Sequence, residues 1–466
     1  MALSALLLSA DPPVRALRSI ALGSLGVFLV LALGADSSPD GGGPLTWLSA
    51  CCFSSTTLGP VALLPPISFL AWVAYRWRTG SLRAIELGPR RITLPMLALW
   101  LVAVISTLGN PGALIGLLAL GGLLTWVYIL LLNERPDLFW ILAAIIIAQS
   151  VVAIAQFVTQ GDLGWRLLGE QSLDPELSGI SVVMRGGERW LRGYGLTVHP
   201  NTLARILILC LLMLLAINKD EWSPIRRMAS RSLYLLGYAG VIVSLSRWGW
   251  VSLLISAGIA LIPCLRATIA RRPPKVRPEM IGMLAALLAI TLLFMVVYGG
   301  TVRGRVLDTE TPLESRSIRE RERDIAVSLS LIGEHPWRGV GYGRYLEAAR
   351  QEDAWALVVH SVPLLITAEL GLPGGLAWGV LAVLPLWRRG AWSRHARYSA
   401  LWIAFWLLGL MDTKPNPLAD IQSALLAGMV AGLVAASFLP SLPGKSDRVA
   451  SPLSEPLLVA DFQTKE

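Results

Sequence analysis

Apolar runs of roughly 17 to 22 residues recur from one end of this chain to the other, each long enough to cross the ~30 Å hydrocarbon layer of a bilayer as an α-helix. No other feature limits the fold so strongly. In lipid, every backbone N–H and C=O must be satisfied inside the spanning structure, which leaves only helices and closed barrels. The runs lack the period-two alternation of barrel strands, so the expected fold is all-α, a polytopic membrane helical bundle. Of the 466 residues, 54% are hydrophobic and 15% charged, too apolar a balance for a soluble protein with one or two cores.

Spans are expected at about 17–34, 57–75, 93–109, 112–132, 138–158, 201–217, 232–245, 248–265, 280–298, 372–387, 398–411 and 418–438, about twelve in all. Short loops rich in Lys and Arg face the cytoplasm. Four such loops fall on one side of a twelve-span arrangement: Arg76 to Arg91, Lys219 to Arg231, Arg266 to Arg277, and Arg388 to Arg397. Both termini are placed on that cytoplasmic side. The first run, behind Arg15 and Arg18, is read as a retained span because it lacks a small-residue cleavage site and the parity needs it. Residues 1–440 thus form the integral membrane domain, and 441–466, rich in Ser and Pro, read as a disordered cytoplasmic tail.

The sequence pI near 9.7 raises the question of nucleic acid. Much of the excess charge lies in the loops just named, where it sets topology and meets anionic membrane lipids, so no nucleic-acid partner is expected. Cys51, Cys52, Cys210 and Cys264 form no C-x-x-C pattern and indicate neither a metal site nor a disulfide framework.

Two connections are long, about 159–200 and about 299–371, and both fall on the external side. Long loops in a compact bundle are usually functional or disordered, and these two are not low in complexity. They are expected to contain short helices. In the second, Ile318, Arg321, Ile325, Ser328 and Ile332 share one helical stripe, which points Arg321 toward the bundle. A buried arginine needs an anion. Arg316, Arg319 and Arg323 read as a solvated face paired with Glu320, Glu322 and Asp324, with Arg319 retained among the candidate substrate contacts. His360 heads an apolar helix that carries Glu369 and is ended by the glycines at 371 and 374. His199 and Asn201 stand at the mouth of the 201–217 span, where Asn201 is expected to be the N-cap after Pro200. Arg247 lies in a turn between two spans and can reach either a lipid or a substrate phosphate.

Four motifs occur in order: R-G-Y-G-x-x-x-H-P-N-x-x-A at 192–204, S-x-S-R-x-G at 244–249, H-P-x-x-G-V-G at 335–341, and H-x-x-x-L-x-x-x-x-E-x-G-x-x-G at 360–374. Together, over roughly residues 140 to 430, they resemble the O-antigen ligase and polymerase superfamily. Ser361 departs from the pattern, since an asparagine commonly follows the histidine. The resemblance implies a glycosyltransferase of the bacterial inner membrane that takes a glycan already assembled on undecaprenyl diphosphate and acts on the periplasmic side. It implies a catalytic role for His360 and diphosphate or glycan contacts for Arg192, Arg247 and Arg321; in the expected site Arg321 is counted with His360 as catalytic, His199 and Asn201 with the substrate contacts, and Glu369 and Gly371 as structural beside them.

The residue types suit that chemistry. Arginine forks hold a diphosphate leaving group at any pH, and a neutral imidazole can take the proton of the attacking hydroxyl. The expected reaction is therefore inverting and needs no metal or other cofactor. The D-x-E pair of Asp308 and Glu310 is the alternative, as a cation site. Ligation to a sugar hydroxyl of lipid A–core is the first reading. Polymerisation onto a lipid-linked repeat is the second, set slightly behind because neither long loop contains an R-x10-G motif. A protein acceptor remains a third, and a transporter a fourth, kept open by Arg205 and Asp420 within spans.

Overall fold

The structure is a computed structural model that describes residues 12–34, 63–219, 221–269, 278–306, 312–387, 395–412, 416, 418 and 420–439. The expected tail at 441–466, Cys51, Cys52, Asp308 and Glu310 lie outside the described residues, as do most of the basic positions of the 266–277 and 388–397 loops.

Helices α1 (Pro12–Gly34), α2 (Leu64–Arg78), α3 (Arg90–Ser106), α4 (Pro111–Glu134) and α5 (Phe139–Thr159) precede the first long segment. Next come α6 (Pro200–Ile217), α7 (Pro224–Val243), α8 (Arg247–Ile269) and α9 (Pro278–Val306). The second long segment carries α10 (Pro312–Glu334) and α11 (Tyr345–Glu352), and the chain returns through α12 (Val362–Val383), α13 (Ala396–Leu410) and α14 (Ile421–Ala436). Each expected span falls on one of these helices, and among the described residues seven helices are long and apolar enough to cross a membrane. Proline at the first turn opens α4, α6, α7 and α12, where its missing N–H costs no intrahelical bond. The helix α14 packs closely on α4: at Gly428 an added Cβ would lie 2.8 Å from the Leu124 carbonyl oxygen, the small-residue contact that lets membrane helices approach.

The segment boundaries differ from those expected. The helix α9 continues to Val306 through a non-helical Tyr298 (φ −119°, ψ 19°), and α12 begins at Val362 and passes through a break at Gly371. The second segment is therefore shorter than 299–371. It holds one long helix, α10, of 23 residues as well as a short one. The first segment holds a β-hairpin, β1 (Val182–Arg185) with β2 (Glu188–Leu191), where a short helix was expected; its only helical piece is a single 3₁₀ turn at Arg166–Leu168. Gly186 and Gly187, both at positive φ, make the two-residue turn that this pairing requires.

The two ends of the bundle have distinct chemistry. At one end Arg18 pairs with Glu134 at 2.8 Å, Arg76 donates to Asn133 at 2.9 Å, and Arg231 pairs with Glu279 at 2.8 Å. This end gathers basic loops. At the other, the hairpin lies on the end of α9, where a Cβ on Gly304 would sit 2.1 Å from the Met184 carbonyl oxygen. The turn between α7 and α8, the α10–α11 layer and the start of α14 join it there, through Arg192 to Ser244 and Tyr342 to Leu418.

Candidate active site

A small core separate from that of the bundle sets the position of His360. Val327 and Leu331 of α10, Tyr345 and Ala349 of α11, Ala356 and Val359 of the connecting strand of chain, and Leu365 and Ala368 of α12 pack together. Polar contacts fix the same layer. The Ser328 hydroxyl lies 2.6 Å from the Tyr345 hydroxyl, and the Leu357 N–H donates to Asp324 Oδ1 at 3.1 Å. Arg323 donates to the Trp355 carbonyl at 2.7 Å and stands 3.6 Å from Asp353. The segment carrying His360 is thus held along its length by α10.

The buried stripe of α10 is Asp324, Val327, Ser328 and Leu331, so the stripe expected from Ile318 and Ile325 is turned by about one residue. Those isoleucines are 39% and 42% exposed. Asp324, expected on the solvated face, is 0% exposed. Arg319 is exposed and Arg321 half-buried. The Arg316 side chain lies outside the described residues.

His360 is half-buried at the head of α12, and its Nδ1 is buried without a hydrogen-bond partner among the described residues. Burial and the Arg321 guanidinium hold the imidazole below its ordinary range, against the smaller opposing pull of Asp412, Asp324 and Glu320. The imidazole is therefore neutral near pH 7 and able to accept a proton. Arg321 Nε is likewise buried without a partner among the described residues.

The glycine-rich turn behind His360 interlocks with the break in α12. Val340 N–H donates to the Ala368 carbonyl at 2.9 Å, Gly341 N–H to the Glu369 carbonyl at 3.0 Å, and Leu372 N–H to the Pro336 carbonyl at 2.7 Å. Gly339 (φ +64°) and Gly371 (φ +72°) leave room for this approach: a Cβ on the first would be 2.3 Å from the Glu369 carbonyl carbon, and on the second 2.6 Å from the Trp337 carbonyl carbon. The Glu369 side chain, 7% exposed, accepts from the backbone N–H groups of Gly343 and Tyr345. It closes the turn from below.

The 192–204 motif forms a second group. Arg192 is 2% exposed and donates to the Ser244 carbonyl at 2.8 Å, the Ser181 hydroxyl at 2.7 Å and Asn201 Oδ1 at 3.0 Å. It ties the hairpin segment, the α7–α8 turn and α6 into one block. His199, not Asn201, is the N-cap of α6: its Nδ1 accepts from the Asn201 N–H at 3.1 Å, which leaves the Asn201 side chain to accept from Arg192. Arg247 opens α8 and donates to the Arg305 carbonyl at 3.3 Å, while Arg305 donates back to the Leu245 carbonyl at 3.2 Å. The indole of Trp248 donates to the Leu407 carbonyl, which sets the start of α8 beside the end of α13, the end that leads to Asp412. Arg321, Asp324 and His360 thus come together in one group, and Arg192, His199 and Asn201 in another.

Asp324 and Arg305 escape the sequence reading. For Asp324 a signal existed, since 324, 327, 328 and 331 repeat at i, i+3, i+4 and i+7. Among the described residues, no group of three or more His, Cys, Asp or Glu side chains could hold a metal ion. A cavity of about 760 Å³ between α2, α3 and α4 is walled by Phe69, Trp72, Trp100 and Trp126 and brings no reactive group to its surface.

No curated protein matches the chain. Residues 232–379, about a third of its length, match the family model described as O-antigen ligase. That stretch contains the 244–249, 335–341 and 360–374 motifs and the interlock that supports His360. Over that third of its length the chain is similar to the O-antigen ligase family, on an all-α bundle whose helices include several long and apolar enough to cross a membrane.

Proposed function

We propose that the protein transfers a preassembled glycan from undecaprenyl diphosphate to a sugar hydroxyl of lipid A–core, at the periplasmic face of a bacterial inner membrane. The observation that carries this reading is the pairing of a neutral, half-buried imidazole at His360 with the partly unpartnered Arg321 guanidinium, both at the end of the bundle away from its basic loops. A lipid diphosphate lies at the headgroup plane, and a catalyst for it needs cationic and basic groups at that depth.

In the proposed reaction the acceptor hydroxyl attacks the anomeric carbon from the face opposite the diphosphate. The new carbon–oxygen bond forms as the bond to the diphosphate breaks, so the configuration inverts. His360 takes the hydroxyl proton. The bonding electron pair leaves with undecaprenyl diphosphate, whose growing charge Arg321 meets with its planar fork and Arg247 meets from the start of α8. Arg319 serves as an outer contact for the donor. No metal or cofactor takes part in this scheme.

The test is incubation of the purified protein in detergent with lipid-linked glycan and lipid A–core, with gel analysis of both lipids. Glycan appearing on lipid A–core supports ligation. Longer glycan on undecaprenyl diphosphate, with lipid A–core unchanged, would replace this reading with polymerisation.

A further inference from the structure

Asp324 is 0% exposed on a helix whose neighbouring arginines and glutamates reach the surface. One of its carboxylate oxygens, Oδ1, accepts from Leu357 N–H at 3.1 Å, with Arg323 Nε at 4.0 Å on the same side. The other, Oδ2, is buried with no hydrogen-bond partner among the described residues. Burial of a carboxylate oxygen with no donor is costly, and native structures rarely leave one so. The Nδ1 atom of His360 is in the same condition. The two side chains are neighbours: Val327, one turn from Asp324, and Val359, adjacent to His360, pack in the same small core, and each charge is felt at the other site. Two unmatched polar atoms, a carboxylate oxygen and a ring nitrogen able to carry a proton, therefore lie in one buried layer.

We propose that Asp324 is the positioning residue for His360, its Oδ2 receiving the imidazole Nδ1–H through one water molecule. This rests on the reading of His360 as the base. With Nδ1 holding the proton, Nε2 carries the lone pair and faces the acceptor hydroxyl. When the hydroxyl proton moves to Nε2, the Asp324 carboxylate stabilises the resulting imidazolium, and no proton passes to the carboxylate. The charged groups facing His360 are Arg321, Glu320 and Asp324 from α10 and Asp412 from beyond α13. Arg321 and Asp324 act on it in opposite directions. Arg321 keeps the imidazole unprotonated before reaction, and Asp324 sets its tautomer and steadies it during reaction.

The experiment compares Asp324→Asn, Asp324→Glu, His360→Ala and the Asp324→Asn/His360→Ala double variant. Transfer is measured from about pH 5 to pH 9 with the purified full chain, a lipid-linked glycan and lipid A–core. Asparagine keeps an oxygen for Leu357 N–H and puts an uncharged NH2 donor in place of the accepting Oδ2. Its kcat should fall by roughly tenfold or more with the donor KM unchanged. Its acid limb should move to lower pH, because removing a carboxylate lowers the imidazole further. Glutamate should restore the position of the limb. The double variant should be no slower than His360→Ala alone, since both changes remove one function. An Asp324→Asn protein with wild-type kcat and an unmoved limb would overturn the proposal, as would a further loss in the double variant. If the asparagine variant fails to fold, the glutamate variant decides: a loss from Asp324→Glu as large in the His360→Ala background as in the wild-type background would also overturn it. Wild-type transfer by His360→Ala would instead overturn the assignment of the base.

Discussion

Arg321 and His360 act on each other across the space between α10 and the head of α12, and after burial itself the guanidinium is the main cause of the lowered imidazole affinity for protons. The consequence is a pH dependence with a fixed sign. Transfer by the wild-type protein should persist below the ordinary imidazole value near 6.5, falling only when His360 becomes protonated. Arg321→Gln removes a positive charge, so its acid limb should lie at higher pH than that of the wild type. A limb that stayed in place, or moved to lower pH, would separate Arg321 from the base.

Gly339 and Gly371 predict a different kind of loss. Alanine at 371 meets the Trp337 carbonyl carbon and also enters a backbone conformation (φ 72°, ψ −176°) that only glycine adopts readily. Alanine at 339 meets the Glu369 backbone. Each substitution should cost about 1–3 kcal/mol, the range for overpacking, with residue 371 the worse. Gly333 lies in α10 with nothing within 4 Å of an added Cβ, so Gly333→Ala should be neutral or slightly stabilising. Thermal unfolding in detergent ranks the three; equal melting of all three would show that the interlock contributes nothing.

The bundle was legible in the sequence because span length and apolar content are imposed by lipid, residue by residue. What was not legible came from contacts that no periodicity records. Gly371 reads as the end of one helix, yet the chain resumes helical geometry at once, because Leu372 N–H finds the Pro336 carbonyl across the break. The face of α10 was misjudged by about one position since Ile318 and Ile325 outweighed the single aspartate that is buried between them. His360 and Arg321 stand out as candidates by residue type and place in the chain. Asp324 was hidden by its company: in a run of alternating arginine and glutamate, an acid looks like a partner on a solvated face. Arg192 shows the converse, for a motif arginine at the membrane edge can be recruited to hold backbone carbonyls and hydroxyls.

The orientation of the chain is open to direct labelling. Ser330 is exposed on α10, and Glu221 is exposed at the basic end between α6 and α7. In a variant with the four native cysteines replaced, Ser330→Cys should react with an impermeant thiol reagent in intact spheroplasts, and Glu221→Cys only after the membrane is opened. The reverse pattern would invert the proposed topology and move the site to the cytoplasm.

Chelation tests the assignment of charge neutralisation to arginine. Transfer should proceed at an unchanged rate in EDTA, because a guanidinium meets the diphosphate permanently and without a bridging ion. Loss of transfer restored by magnesium or manganese would transfer that role to a cation, with Asp308 and Glu310 the first residues to substitute.

Arg192 and Arg321 should respond differently to the same substitution. Arg192 is buried and directs its nitrogens to Ser244, Ser181 and Asn201, three partners on separate pieces of chain, and one ammonium on a flexible stem cannot satisfy all of them. Arg192→Lys should therefore lose about 2–3 kcal/mol of stability, as expected when charged hydrogen bonds are broken in a buried site. Its folded fraction should keep the donor KM. Arg321→Lys should melt near the wild-type temperature and lose transfer instead, since Arg321 is half-buried and its planar fork is proposed to meet the leaving diphosphate. Melting curves and donor kinetics on the two variants decide between these roles. A stable Arg192→Lys protein with a raised donor KM would make Arg192 a ligand contact, and the block of α6, the hairpin and the α7–α8 turn would then be part of the donor site itself.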